Sequence, residues 1–300
     1  MALWIPVTLA AAVFQTLRFM LQKSLSTTKL SAAGATFARF AYSAPLIVAL
    51  LAGYLWISGR ALPPLVPAFW TFAAIGGLSQ ILATICVVLL FKQRNFAVGI
   101  TFKKTEVIQT ALVGLVVLGE GVSAGGFAAI LLGLAAVLLL SRTPDVEGSW
   151  LRHLTNRASL LGLGSGVLFA FSAVSYRGAS LQLGDVEPAF RAAITLACVA
   201  SLQALSMAAW LLLRDRAELR AVWDTRRVAV WVGLFSMAGS FCWFLAFTLQ
   251  NAAYVKALGQ VELVLSLLAS VLFFRETVTR REIGGMALLC LSILLLVLAI

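Results

Sequence analysis

Long apolar stretches, which follow one another from one end of the chain to the other, are the feature that most limits how it can fold. A helix needs about 20 apolar residues to cross a bilayer, and stretches of this length are separated here only by short polar turns. We therefore predict ten membrane helices, over residues 3–22, 31–57, 65–91, 95–118, 122–141, 158–180, 186–213, 228–250, 253–274 and 278–299.

The composition agrees with this class and excludes others. Hydrophobic residues make up 61% of the chain and charged residues 12%, against about 25% charged residues in a soluble domain. Runs such as "AILLGLAAVLLL" are apolar on every side, whereas the strands of a membrane barrel alternate with period two. The fold class predicted is an all-α polytopic membrane protein.

The Lys and Arg residues are concentrated in alternate turns between the predicted helices. The formal net charge is +11, and most Lys and Arg residues follow the odd-numbered helices, while the even turns hold only Arg60 and Arg177. Because Lys and Arg in short loops mark the cytoplasmic side, we expect the odd turns inside and both termini outside. The charge is thus a topology signal, and no nucleic-acid partner is expected.

The sequence also contains an internal repeat. A shift of 156 residues superimposes Asn95 on Asn251, Glu106 on Glu262 and Glu120 on Glu276. Each copy has five predicted helices, and an odd number inverts the second copy in the membrane. We therefore predict two inverted five-helix repeats, 1–141 and 158–300, joined by a loop at 142–157. Such repeats place a site near the midplane and open it alternately to either side.

These features resemble the EamA-type transporters of the drug/metabolite transporter superfamily. The resemblance rests on the five-plus-five helices, the closing segment "VELVLSLLASVLFFRETVTRREIGGMALLCLSILLLVL" and its weaker copy "TEVIQTALVGLVVLGE". Unlike the family pattern, no proline follows the first glutamate of either copy, and the loop charges run opposite to the usual member. The resemblance implies a secondary transporter in a bacterial inner membrane that exports amino acids or other metabolites.

The segment "TFKKTEVIQ" places three charges inside the predicted fourth helix. Lys103 and Glu106 are three residues apart, so they share a helical face and can form an ion pair. The position equivalent to Glu106 is Glu262, so that one lysine faces two glutamates across the repeat axis. Two interpretations stay open: a structural clamp between the halves, or a carboxylate that titrates and couples transport to protons.

A second stripe is the predicted substrate site. Lys104 corresponds to Gln260, and Lys256 lies four residues before Gln260 with Tyr254 close by. This stripe has two lysines, Lys104 and Lys256, and fewer carboxylates that would pair with them. The unpaired positive charge favours an anionic or zwitterionic ligand. Other candidates for the cavity wall are Arg18, Gln80, Tyr176 and Trp243, and further Phe14, Phe171, Ser172 and Ser240.

Other polar positions suit structural roles. Arg39 and Arg191, at matched places in the two halves, are expected to cap helix ends or reach headgroups. Glu120 and Glu276 precede predicted helices and suit helix N-termini. All four cysteines fall inside predicted helices and the one histidine lies in a loop, so we expect neither a metal nor a cofactor.

The predicted function is alternating-access export of small anionic or zwitterionic metabolites. An enzyme is disfavoured because no nucleophile–base pattern or Walker motif is present, and a channel because no charge ring or filter sequence occurs. A flippase for lipids or lipid-linked groups is the alternative. One chain supplies both repeats, so a monomer is sufficient and a dimer is not required.

Overall fold

A computed structural model describes residues 2–91, 103–140, 157–265 and 280–299, and within these ranges the chain has helices and no strand. Six helices are long and apolar enough to cross a membrane. They are α1 (Trp4–Thr28), α2 (Ala32–Ser58), α3 (Pro67–Phe91), α6 (Arg157–Leu181), α7 (Pro188–Arg214) and α9 (Arg226–Leu249).

Five further helices are shorter. Three of them are apolar: α4 (Glu106–Leu118), α5 (Ala124–Leu140) and α11 (Arg280–Leu298). The others are α8 (Arg216–Asp224) and α10 (Ala252–Leu258). An all-helical protein with several membrane-crossing segments is thus confirmed. Residues 92–102 and 266–279 lie outside the described residues, so the predicted fourth and ninth spans can be followed only in part.

Local sequence signals set the ends of these helices. Ser31 caps α2, because its hydroxyl accepts a hydrogen bond from the Gly34 amide at 3.0 Å. At the other ends of α2 and α4, Gly59 and Gly119 have φ angles of 65° and 68°. Glycine adopts this left-handed conformation, which ends a helix, at the lowest cost of any residue.

The pairing of the helices stays the same when the two halves of the chain are exchanged. The most extensive contacts join α3 to α6 and α1 to α9, and α5 packs along α11. When the 156-residue shift exchanges the halves, α3 takes the place of α9 and α1 that of α6, so the first two pairs replace each other. The pairing supports two repeats, whose ten-helix arrangement and boundaries at 1–141 and 158–300 stay predictions.

The segment between α7 and α9 was predicted to be a turn, and this prediction is wrong. It contains α8, a helix that periodicity over apolar windows did not predict because its exposed face is charged. Leu219 and Val222 of α8 pack into a cluster with Leu25, Phe37 and Leu211. The helix is therefore docked against α1, α2 and α7.

A carboxylate of α8 holds the start of α2. Glu218 Oε1 accepts a hydrogen bond from the Ser31 amide at 2.6 Å, and a Cβ at Gly34 would overlap this carboxylate. An anion at a helix N-terminus is favoured by the helix dipole. The contact fixes the end of the helix that carries Arg39.

We expect Glu218→Gln to lower the free energy of unfolding by about 0.5–2 kcal/mol, as for loss of a helix cap. The measurement is the thermal unfolding midpoint of the purified protein in one detergent. Asp224→Asn, which removes an exposed carboxylate from the same helix, is the matched control and should leave the midpoint unchanged. Equal midpoints for Glu218→Gln and wild type would contradict the capping role.

Candidate functional site

Two helix interruptions lie at equivalent positions of the two halves. Lys104 and Thr105 form a turn, and α4 begins only at Glu106. In the second half, α10 ends at Leu258 and the chain passes through a 3-10 turn, Gly259–Val261, before it becomes helical again at Glu262. The expectation of continuous helices through both segments is therefore wrong. Discontinuous helices at matched places of inverted repeats are typical of transporter binding sites.

Three lysines and two glutamates meet at these interruptions. Lys103 Nζ lies 3.6 Å from Glu106 Oε2, which confirms the predicted i,i+3 pair. Lys256 Nζ lies 3.9 Å from Glu106 Oε1, and Lys104 Nζ lies 2.8 Å from Glu262 Oε1. Hence Glu106 faces two lysines, rather than one lysine facing two glutamates. The expectation that Lys104 and Lys256, the two lysines of the predicted substrate stripe, lack an equal number of carboxylates is also wrong, because each has one within ion-pair distance.

Glu262 has a second connection, through α1 to α9. Gln15 donates its side-chain amide to Glu262 Oε2, and Trp243 Nε1 donates to Gln15 Oε1 at 3.1 Å. The Trp243 indole packs on Gly259, where a Cβ would come within 2.5 Å of the ring. Gly259 thus permits the close approach of the Trp243 ring to the backbone of this turn.

A small polar cavity of about 30 Å³ lies beside this cluster. It has room for about two water molecules, whereas sites for drug-sized ligands have roughly 300–1,000 Å³. A substrate would therefore require the helices to move apart. The predicted residues that line this central cavity are Arg18, Gln80, Ser172, Tyr176, Ser240, Trp243 and Lys256.

Arg39 also lines the central cavity, and its predicted place at a helix end is wrong. The residue is only 4% exposed, and its guanidinium donates to the hydroxyls of Ser236 at 2.8 Å, Thr84 at 3.1 Å and Ser240 at 3.3 Å. Three neutral acceptors fix its orientation and leave its charge without a carboxylate among the described residues. Arg191, in contrast, donates to the Gly184 carbonyl beside the start of α7.

Aromatic rings surround the Lys256 ammonium group. Its Nζ lies 5.1 Å from the ring centre of Trp243, 5.3 Å from that of Phe169 and 6.0 Å from that of Phe247. The electron-rich faces of such rings attract a cation. This arrangement stabilises a buried lysine whose Glu106 partner is at the limit of ion-pair distance.

Three predicted substrate residues do not line the central cavity. Lys104 and Gln260 line a separate cavity of about 10 Å³, because the 3-10 turn replaces the regular spacing that would have placed Gln260 over Lys256. Tyr254 points elsewhere: its hydroxyl accepts a hydrogen bond from the Ser123 amide at 2.9 Å. Of the two other aromatic candidates, Phe171 is 38% exposed and Phe14 lines an apolar groove.

Sequence reasoning missed several residues at this site. Phe169 and Phe247 were indistinguishable from other aromatic residues in apolar helices. Gln203, 2% exposed, was the more visible signal, since a buried glutamine in a membrane helix needs partners. Its side-chain amide donates to the Gly77 carbonyl, to Gln80 Oε1 and to the Tyr176 hydroxyl.

Glu120 precedes α5, and its carboxylate also binds a residue of another helix. Its carboxylate binds Arg177 Nε at 2.6 Å, and Arg177 Nη1 donates to the carbonyls of Phe247 and Gln250 at the end of α9. Glu120 therefore contributes to a tie between α6 and α9. Its predicted counterpart Glu276 lies outside the described residues.

Residues 156–298 match the EamA-like transporter family. This match confirms the resemblance to EamA-type transporters of the drug/metabolite transporter superfamily that was seen in the sequence. No curated protein matches the chain.

Several solved structures are similar in fold, and one of them is a crystal structure of a protein. It aligns over 98% of this chain and 97% of its own with a TM-score of 0.69 and 16% sequence identity. At this identity the likeness shows a shared fold for the whole chain. The EamA-like match and the apolar helices together show a multi-pass membrane protein of the transporter type.

We expect the Lys104–Glu262 ion pair to stabilise the protein through mutual neutralisation. Lys104→Met and Glu262→Gln should each lower the free energy of unfolding by about 3–5 kcal/mol, because each leaves the other charge buried without its partner. The double variant should lose less than the sum of the single variants. Thermal unfolding in one detergent measures all four proteins.

The exposed Arg60–Glu187 pair is the matched control. Its atoms are 3.2 Å apart with side chains 50% and 56% exposed, so the corresponding variants should change the free energy of unfolding by about 1 kcal/mol or less. Additive losses at Lys104 and Glu262 would show that their contact does not contribute.

Proposed function

We propose that this chain is a secondary-active transporter that exports small organic anions or zwitterions, with amino acids within that class, across a bacterial inner membrane by alternating access. The central cavity is the proposed substrate site. In this site, the acidic group of the substrate binds Lys256, Arg18 and Arg39. Its neutral part contacts Gln80, Tyr176 and Trp243.

The single observation that carries this proposal is the excess of buried positive charge. Around the cavity, the described residues place five cations, Arg18, Arg39, Lys103, Lys104 and Lys256, against two carboxylates, Glu106 and Glu262. No carboxylate lies among the described lining residues of the cavity itself. Uncompensated charge inside a membrane protein marks a substrate path, and a site with three positive charges in excess favours an anion.

The geometry supports a mechanism in which the substrate competes with Glu106. Lys256 is held by Glu106 at 3.9 Å, a weak contact that a substrate carboxylate can replace with a charge-assisted hydrogen bond. Binding would then release α10 from the start of α4. A ligand shifts a conformational equilibrium only through such differential contacts. Exchange of a proton at Glu106, as it loses Lys256, is the proposed means of proton coupling.

Lys104 has a different role in this conformation. Its ion pair with Glu262 joins the two halves, and Gln15 and Trp243 support the same carboxylate. We propose that this pair is the clamp that closes one side of the cavity. Lys104 and its neighbour Gln260 reach substrate only in a conformation in which the clamp has opened, and Tyr254 positions α10 through Ser123 without contacting substrate.

We expect Lys256→Gln to reduce export by about ten- to hundredfold, because a hydrogen bond to a charged group contributes about 1.5–3 kcal/mol. The experiment compares metabolites in the medium of cells that express wild type, Lys256→Gln or no protein, at matched membrane levels. Arg191→Gln, which removes a positive charge outside the cavity, is the control and should export as wild type does.

Small carboxylates or amino acids that accumulate outside only with wild type and the control would support the proposal and name the substrate. Equal export by Lys256→Gln and wild type would contradict the role of the cavity. Accumulation of organic cations instead would contradict the charge argument itself.

A lipid flippase is the second candidate, and one observation favours it. An apolar groove of about 600 Å³ opens between α3 and α7. Gln203 lies at its base and donates to Gln80 and Tyr176, which line the central cavity. One layer of side chains therefore separates the cavity from the groove, as a lateral entrance for a lipid would require. If the media of the three cell lines contain the same metabolites while the lipid composition of the envelope changes, the flippase is supported. The cavity cations would then bind lipid headgroups.

A further inference from the structure

The amphipathic helix α8 presents a sharply divided surface. Leu219 and Val222 face the core, and Glu218 faces α2. The opposite side carries Arg216, Arg220 and Trp223, which are spaced i, i+4 and i+7 and are exposed. A soluble surface helix has little reason to expose a tryptophan to 63%.

Arginines flank this face on both sides. Arg214 precedes the helix, and Arg226 and Arg227 follow it, which brings the segment to five arginines, all exposed. Two of its three acids are engaged in the fold: Asp215 caps α8 by accepting from the Glu218 amide at 3.3 Å, and Glu218 caps α2. Among the described residues, no carboxylate lies within ion-pair distance of these arginines.

Exposed tryptophans place α8 at the level of a membrane interface. Trp210 near the end of α7 and Trp231 near the start of α9 are 51% and 53% exposed, and both helices meet α8 at this end. Trp56 and Trp70 are exposed near the opposite ends of α2 and α3. Two groups of tryptophan at the two ends of the helices are typical of the belts that lie among lipid headgroups.

We propose that the outer face of α8, with its flanking arginines, is a binding surface for anionic phospholipid headgroups. The arginines complement the charge of the headgroups, and Trp223 inserts at the boundary between headgroup and acyl chain. The Lys and Arg distribution assigns this end to the cytoplasmic side, where the leaflet is negatively charged. Through Glu218 and Ser31, lipid bound to α8 stabilises the start of α2, the helix that positions Arg39.

The test measures lipid binding by the full chain in a neutral detergent. Phosphatidylglycerol is titrated into the purified protein, bound lipid is counted by native mass spectrometry, and phosphatidylcholine is titrated in parallel. Wild type should bind phosphatidylglycerol more tightly than phosphatidylcholine. Arg220→Gln with Arg227→Gln should weaken phosphatidylglycerol binding about thirtyfold, at about 1 kcal/mol for each charge removed.

Two further variants separate this surface from general charge effects. Trp223→Ala should weaken binding while leaving all arginines in place, and Arg60→Gln, at the opposite end of the molecule, should bind as wild type does. Equal affinity of wild type for the two lipids would overturn the proposal, and so would an equal loss in Arg60→Gln. Competition by free glycerol phosphate as strong as by the lipid would show a soluble-anion site and overturn the assignment to the membrane.

Discussion

Charged side chains inside a bilayer need counter-ions from the protein itself, and here two of the three ion pairs described at the helix interruptions join one half of the chain to the other. Lys104 of the first half binds Glu262 of the second, and Lys256 of the second half approaches Glu106 of the first. Breaking such a buried pair leaves an uncompensated charge, which costs far more than an exposed pair contributes. The two halves are therefore held in register by electrostatics at their centre, while apolar packing surrounds them.

The same constraint accounts for the local backbone and for the cavity. The carboxylates and lysines of the two helical segments meet where those segments are interrupted, at the turn before Glu106 and at the 3-10 turn before Glu262. Arg18 and Arg39, which have no carboxylate within ion-pair distance in the described part of the chain, line the cavity beside the interruptions. Satisfaction of part of the charge stabilises the fold, and the unsatisfied remainder provides the proposed attraction for substrate.

The sequence was sufficient for features that depend on composition and on fixed spacing. Apolar runs predicted the helices, and the i,i+3 spacing predicted the Lys103–Glu106 pair. It was insufficient where a helix departs from regular geometry: the turn at Gly259 separates Gln260 from Lys256, and no periodicity signals it. Arg39 shows the other limit, because its guanidinium donates to three hydroxyls from two other helices, α3 and α9, and such contacts depend on packing between distant segments. The polar helix α8 was overlooked because only apolar windows predict membrane segments.

The most direct test of the central claim is the charge selectivity of the cavity. Ser172 lines it and is 2% exposed, so Ser172→Cys in a variant without the four native cysteines provides a single reporter thiol. Thiol reagents of similar size, one anionic and one cationic, are added to membranes from either side and the modification rates are compared. The account predicts that the anionic reagent reacts faster and that it reaches the thiol from both sides. Faster reaction with the cationic reagent, or modification from one side alone, would contradict it.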